Sequence, residues 1–150
     1  MRNIYYILFI SLFLYSSSSL GDTIAQCAHE QLGKPYKYGG IGPYQFDSFG
    51  LIYYCMKLAG LPSWYDREMQ AKQGKQITAA ELVPGDTIYL YDKRYNLIGA
   101  FIYYGNGLYI YTYEKVISRK INFNPEFHYD YRRNCILVML DGKNFSTLIK

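Results

Sequence analysis

The sequence predicts an α+β domain in which N-terminal helices pack on a central antiparallel β-sheet. After the leader, apolar residues recur at helical spacing in the first half of the chain, whereas short β-branched and aromatic segments fill the second half. The 150 residues suffice for one domain with a single core. The 19 tyrosines fit a sheet-rich protein with amphipathic faces or, alternatively, an aromatic platform for a sugar or peptide.

The first segment, residues 1–21, has the pattern of a secretory signal peptide. A short basic end with Arg2 precedes an apolar run over residues 4–15 and then a series of small residues. A membrane helix needs about 20 apolar residues, so the run is too short to span a bilayer, although an uncleaved anchor is an alternative interpretation. We therefore expect a secreted protein, cleaved after Gly21, with one domain over residues 22–150 and no membrane segment after cleavage.

Three helices are expected in the first half of the domain. The first covers residues 23–32 and ends at a loop, residues 33–45, that contains too many glycines and prolines for regular structure. Asp47 then caps a second helix, whose apolar residues recur at helical intervals as far as Gly60. A short third helix is expected at residues 66–72.

Strands are expected in the second half, at residues 87–91, 97–104, 108–113, 116–121 and 135–140. Residues 105–107 carry a strong hairpin signal and predict a three-residue loop closed by a glycine bulge. Such a loop places Tyr104 opposite Leu108. Phe101 then faces Tyr111. Strand alternation puts the following residues on one sheet face: Gly99, Phe101, Tyr103, Tyr109, Tyr111 and Tyr113.

The charge and the metal-binding side chains exclude two classes of function. The formal net charge of +4 falls by one when Arg2 is removed, and no basic cluster longer than residues 132–133 marks a nucleic-acid surface. The histidines and cysteines are His29, His128, Cys27, Cys55 and Cys135. Their spacing fits no zinc pattern, so we expect neither a metal nor another cofactor. An exported protein can oxidise two of the cysteines, but the sequence does not select the pair.

Three sequence motifs and the hairpin occur in a recognisable order. They are Gly-Lys-Pro-Tyr-x-Tyr-Gly-Gly at residues 33–40, Phe-Asp-Ser-Phe-Gly-Leu at residues 46–51, and Pro-Gly-Asp at residues 84–86. In order and spacing they resemble the NlpC-type family of cell-wall peptidases, where G-x-P-Y-x-W-G-G precedes F-D-C-S-G-L and P-G-D opens the sheet. The resemblance covers roughly residues 24–112 and implies a papain-like fold.

The resemblance also implies where catalytic residues would stand. Enzymes of this family cut amide bonds in bacterial cell-wall peptides with a cysteine at a helix start, a histidine on a neighbouring strand and a third polar residue that orients the histidine. These positions fall on Ser48, Gly99 and Tyr111. Serine is a poor nucleophile without a base, and glycine cannot take a proton. No functional catalytic residues are therefore expected.

A substrate groove is implied by the same resemblance. Its expected contact positions are Tyr36, Tyr38, Asp47, Ser48, Phe49, Phe101 and Tyr111. Asp47 is also the expected helix cap. Phe49 stands where the family usually has serine, so its ring would either plug the groove or make an ordinary core contact.

The leading hypothesis is a secreted, catalytically inactive NlpC-like domain, a pseudoenzyme that binds a cell-wall stem peptide, a glycan or a protein partner. One alternative is a peptidoglycan amide hydrolase that uses Ser48 as nucleophile with an unidentified base such as His128. Another is a structural or interaction protein whose groove is filled by Phe49, Phe101 and Tyr111.

Overall fold

Helices and an antiparallel sheet form separate layers in the computed structural model, which describes residues 19–91, 94–121, 129–130 and 135–141, with side chains as far as residue 121. The helices are α1 (Leu20–Glu30), α2 (Ser48–Leu58) and α3 (Arg67–Ala71). The strands are β1 (Lys75–Gln76), β2 (Thr87–Tyr91), β3 (Leu97–Gly105), β4 (Leu108–Thr112), β5 (Val116–Lys120), β6 (Tyr129–Asp130) and β7 (Cys135–Asp141). The predicted α+β class is confirmed. Within the described residues, no helix combines the length and hydrophobicity needed to cross a membrane.

Helix α1 begins earlier than the predicted residue 23. Ser19 caps it through a reciprocal pair of bonds: its hydroxyl accepts from the Asp22 amide at 3.1 Å, and the Asp22 carboxylate accepts from the Ser19 amide at 3.1 Å. Gly21 is buried, and a Cβ atom on Gly85 would overlap its carbonyl group. Gly21 therefore packs as part of the domain, whereas the Leu20 side chain is exposed, and cleavage after Gly21 stays a prediction.

Helix α2 follows the predicted pattern and is joined covalently to α1. Asp47 caps it by accepting a bond from the Gly50 amide at 2.7 Å. A disulfide links Cys27 of α1 to Cys55 of α2, with their Cα atoms 5.5 Å apart. The sequence left this pairing open, and the structure assigns it.

The sheet orders its strands β1-β7-β2-β3-β4-β5, with β6 beside β7, and all pairs are antiparallel. Helices α1 and α2 cover one face, where the core contains Ile24, Ile52, Tyr89, Ile102, Ile110 and Val116. The other face carries a second cluster of Ile77, Ile88, Leu90 and Tyr109, against which Phe101 and Tyr103 pack. Alternate residues of β2, β3 and β4 thus enter two different cores.

The β3–β4 hairpin differs from its predicted register. Gly105 pairs with Leu108, so the predicted pairing of Tyr104 with Leu108 is wrong. The turn has two residues, Asn106 at φ 52° and Gly107 at φ 74°, and two-residue hairpin turns of this kind need positive φ at both positions. Tyr104 is left over as the bulge residue between Tyr103 and Gly105.

The predicted aromatic pairing beyond this bulge is confirmed. The rings of Phe101 and Tyr111 lie 4.7 Å apart, and those of Tyr103 and Tyr109 lie 5.1 Å apart. Strand β4 ends at Thr112, one residue before the predicted end. The tyrosine-rich face of the sheet therefore forms by cross-strand ring contacts.

The buried tyrosines predict a loss of stability at alkaline pH. Burial, and to a smaller extent the neighbouring Tyr103, raises the pKa of Tyr109 to about 12. Burial raises the pKa of Tyr89 as well. The folded state therefore retains protons that the unfolded chain loses from about pH 10, the ordinary tyrosine value, so the free energy of unfolding falls between about pH 10 and 12.

Urea unfolding across this pH range would measure the loss. Tyr109→Phe removes one of the titrating groups and should lose less stability between pH 10 and 12 than the unmodified protein. A variant that lost as much would show that the Tyr109 phenol does not contribute.

Candidate functional site

Two glycines allow the loop before α2 to lie directly on the start of that helix. A Cβ atom on Gly50 would overlap the carbonyl group of Gly40, and a Cβ atom on Gly40 would lie 2.9 Å from the carbonyl oxygens of Lys37 and Gln45. The Asp47 amide donates to the Gly40 carbonyl at 3.0 Å, which holds the two segments together. The shape of the site thus depends on backbone contact that only glycine permits.

The Asp47 carboxylate joins the loop, α2 and the segment before α3. Besides the Gly50 bond, its Oδ2 accepts hydrogen bonds from the Gly39 amide and the Tyr65 hydroxyl, each at 3.0 Å. Asp47 is only 2% exposed. The predicted capping role is confirmed, and the carboxylate also anchors the loop; its contact with substrate stays a prediction.

Tyr65 completes this anchor as a proton donor. Burial, followed by the hydrogen bond to Asp47, raises the pKa of the Tyr65 phenol. The phenol therefore keeps its proton and its bond to the carboxylate throughout the neutral range.

Ser48, the predicted nucleophile position, ties α2 to the sheet. Its Oγ accepts a hydrogen bond from the Thr112 amide at 3.0 Å and lies 2.9 Å from the Thr112 hydroxyl. The last paired residues of β3 and β4 are Ile102 and Ile110. The Thr112 amide lies beyond this pair and donates its hydrogen bond to Ser48 instead. Among the described residues, Ser48 has no hydrogen bond to an imidazole or a carboxylate.

Gly99 and Tyr111, the predicted base and orienting positions, lie on the sheet face away from the helices. A Cβ atom on Gly99 would meet Leu90 at 3.8 Å and Phe101 at 3.9 Å, and the Phe101 ring contacts Tyr111. The structure thus brings Gly99, Phe101 and Tyr111 together. Ser48 approaches the sheet from the helix layer and is engaged with Thr112 instead.

Phe49 belongs to the core on the helix side of the sheet. It is 4% exposed, and its ring centroid lies 6.4 Å from that of Tyr89. Phe49 therefore makes the predicted core contact, while the interpretation as a groove plug stays a prediction. Phe101 and Tyr111 pack on the opposite sheet face, so the three rings do not fill one cleft together, contrary to the plugged-groove hypothesis.

The two loop tyrosines are exposed, as a contact surface requires. Tyr36 is 43% exposed and Tyr38 is 74% exposed. Tyr38 borders an open cavity of about 630 Å³ beside the start of β3. The cavity is lined by Tyr38, Gly39, Tyr65, Asp66, Arg67, Glu68 and Leu97.

Arg67 is the basic residue in this cavity lining, and sequence reasoning missed it. Its guanidinium carbon lies 4.7 Å from the centre of the Phe49 ring and 5.1 Å from that of Tyr38. Asp47 Oδ2 is 3.8 Å from its Nη2. The sequence contained one indication of this role. An arginine directly after the cap Asp66 stands in the first turn of a helix, where the helix dipole disfavours cations.

The match to known proteins decides the family. Residues 33–133 match the model of the NlpC/P60 family. The chain belongs to this family. A "Probable endopeptidase" of Mycobacterium tuberculosis (strain H37Rv) is 30% identical over 102 residues, which cover 67% of this chain and 26% of that protein. A "Probable endopeptidase" of Corynebacterium glutamicum is 30% identical over 96 residues, covering 64% and 44%. The chain thus spans less than half the length of these relatives.

Solved NlpC/P60 structures share the fold. NlpC2 from Trichomonas vaginalis superposes with a TM-score of 0.71 at 21% identity, over 85% of this chain and 48% of that one. RipD from Mycobacterium tuberculosis, described as a non-catalytic NlpC/p60 domain protein with an adaptation to peptidoglycan binding, gives 0.65 at 19% identity, over 83% and 98%. The predicted papain-like NlpC-type fold is confirmed.

Of the two histidines of this NlpC/P60 chain, His29 lies within the described residues and His128 does not. His29 stacks on Tyr104, with ring centroids 4.9 Å apart, so its imidazole packs against the sheet. His128, the suggested alternative base, lies outside the described residues, as does the side chain of Cys135. In the part of the chain with described side chains, histidine, cysteine, aspartate and glutamate form no group of three that would hold a metal ion.

Proposed function

We propose that this NlpC/P60 domain is exported and binds peptidoglycan without hydrolysing it. The observation that carries the proposal is the hydrogen bond from the Thr112 amide to Ser48 Oγ, at 3.0 Å. A serine hydroxyl attacks an amide only when a base takes its proton, and Gly99 offers no side chain for that purpose. The hydroxyl at the nucleophile position therefore has a structural role.

Exposed aromatic rings supply the binding surface in this proposal. Tyr36 and Tyr38 project from the loop that Gly40 and Gly50 hold on α2, and rings with a polar tip suit the faces of sugars and peptides. The description of RipD, a non-catalytic member of the family with an adaptation to peptidoglycan binding, is a precedent for such a role.

Hydrolysis is the competing proposal, because relatives at 30% identity are named probable endopeptidases. It requires Ser48 as nucleophile and a base from outside the described residues. Sedimentation with purified peptidoglycan, followed by analysis of released peptides, separates the two in one tube. We expect the domain in the pellet and no released peptides. Turnover by the unmodified protein that Ser48→Ala abolishes would reject the binding-only function.

Restoring the thiol alone should not restore activity. Ser48→Cys supplies the family's nucleophile, but Gly99 still supplies no base, so we expect no release of peptides from peptidoglycan. The unmodified protein, confirmed as folded by circular dichroism alongside the variant, is the control. Peptide release by Ser48→Cys would show that a base already stands within reach of residue 48.

The substitution Ser48→Ala tests the structural role of the hydroxyl by its effect on stability. It removes the acceptor of the Thr112 amide, so we expect the free energy of unfolding to fall by about 1–2 kcal/mol. Urea unfolding measures this loss, and an unchanged value would argue against the structural role of the hydroxyl.

A further inference from the structure

We propose that the leader is removed between Ser18 and Ser19, so that the exported chain begins at Ser19 and not at Asp22. The inference rests on the export in the proposed function and adds the position of the cut. It starts from the first turn of α1, which contains residues that cleavage after Gly21 would remove. Hydrolysis of the Ser18–Ser19 amide consumes one water molecule and leaves a carboxylate on Ser18 and an ammonium on Ser19.

The sequence at the end of the leader leaves the cut open between a few positions. Removal of a signal peptide requires a small residue at the last and at the third-last position before the cut. Over residues 16–21, cuts after Ser18, Ser19 or Gly21 meet this requirement. The other cuts would place a leucine or a tyrosine at one of the two positions. The structure distinguishes between the cuts that remain.

Ser19 makes the bonds that begin α1. Its carbonyl accepts a hydrogen bond from the Thr23 amide at 3.0 Å, and its hydroxyl accepts one from the Asp22 amide at 3.1 Å. The Asp22 carboxylate accepts in turn from the Ser19 amide. Cleavage after Ser19 or after Gly21 would take these acceptors away from the first amides of the helix. Of the allowed cuts, the one after Ser18 leaves the cap on the domain.

Gly21 connects the start of α1 to the start of the sheet. It is buried, and it lies so close to Gly85 that a Cβ atom on Gly85 would overlap the Gly21 carbonyl group. The Gly85 amide donates to the Tyr103 carbonyl in β3 at 2.8 Å, which fixes this side of the contact. Cleavage after Gly21 would therefore remove a packed backbone segment and not a free end.

The charge that cleavage creates also favours a chain that begins at Ser19. Ser19 is exposed, and its nitrogen lies 3.1 Å from a carboxylate oxygen of Asp22. An ammonium at this position would form a charge-assisted hydrogen bond to that carboxylate. Cleavage after Gly21 would instead place the ammonium on Asp22, within the present first turn of α1, where the helix dipole disfavours a cation.

The intact mass of the secreted protein identifies the cut. The whole chain, with its leader, would be expressed in a secreting bacterial host, and the protein recovered outside the cytoplasm would be analysed by mass spectrometry. We expect a chain that begins at Ser19. A chain that begins at Leu20 or Asp22 would overturn the inference and leave export intact. Recovery of the uncut chain alone would overturn both this inference and the export in the proposed function.

Two matched variants test the recognition of this cut. Ser18→Tyr places a bulky ring at the last position before the proposed cut, whereas Ser17→Tyr places the same ring at the middle position, where the pattern sets no limit on size. We expect Ser18→Tyr to lose most of the product that begins at Ser19, and Ser17→Tyr to retain it. Equal amounts of that product from the two variants would contradict the assignment.

The structural reason for the cut has a separate readout. Chains that begin at Ser19 and at Asp22 can be released without extra residues from a cleavable N-terminal fusion and compared by urea unfolding. We expect the midpoint of the chain that begins at Asp22 to be lower by about 0.5 M or more, because the cap and the Gly21 contact are missing. Equal midpoints would show that the domain does not need residues 19–21, and would remove the basis of the inference.

Discussion

Replacing Gly50 by alanine is expected to lower the free energy of unfolding by about 3 kcal/mol. The new methyl group would overlap the Gly40 carbonyl, which belongs to the backbone and cannot rotate away. Moving the loop would break the bond from the Asp47 amide to that carbonyl, now 3.0 Å long, and would disturb the cap of α2. Urea unfolding followed by circular dichroism measures the loss.

Gly99→Ala is the matched control for this substitution. A Cβ atom at Gly99 would meet its nearest neighbours at 3.8 and 3.9 Å, which is ordinary van der Waals contact. We expect its stability to stay within about 0.5 kcal/mol of the unmodified protein. If Gly50→Ala and Gly99→Ala had equal effects, contact between the loop and α2 would not be what requires a glycine at position 50.

Local patterns were sufficient to predict most of the fold. Strand β2 has the predicted bounds, and α2 starts directly after its predicted cap Asp47. Alternation along β3 and β4 also gave the contact between Phe101 and Tyr111. These features depend on side-chain periodicity and on capping, which act over a few neighbouring residues.

Local sequence patterns could not predict contacts between segments that are distant in the sequence. Ser48 and Thr112 lie 64 positions apart, and no local pattern couples a helix start to a strand end. Arg67 meets Tyr38 and Phe49 only because the loop and α2 are already folded. The hairpin error was of another kind, since Gly105 and Gly107 allow either a three-residue loop or a two-residue turn followed by a bulge.

The scaffold and the chemical groups of the family depend on different residues. Gly40 and Gly50 match the family motif and maintain the approach of loop and helix, which any occupant of the groove would need. The hydroxyl of Ser48 accepts a hydrogen bond from the Thr112 amide. This bond holds residue 48 in place without the thiol or the histidine that the family's enzymes have. The family fold can therefore be retained whatever residues occupy the predicted catalytic positions.

Removing the disulfide between Cys27 and Cys55 is expected to cost about 3 kcal/mol of stability. The bond closes a loop between residues 28 positions apart, and a cross-link of that span restricts the unfolded chain by an amount of this order. It also joins α1 to α2 in the core, where Cys55 is fully buried and Cys27 nearly so. The variant Cys27→Ala/Cys55→Ala avoids leaving a buried thiol or hydroxyl, and its urea midpoint measures the loss.

Cys135→Ala is the control that identifies the pair. Unfolding with and without reductant should show the same reductant-dependent loss in Cys135→Ala as in the unmodified protein, because both retain the Cys27–Cys55 bond. The double variant should show no such dependence. If Cys135→Ala instead lost its sensitivity to reductant, the bond in solution would involve Cys135. Packing alone would then hold α1 against α2.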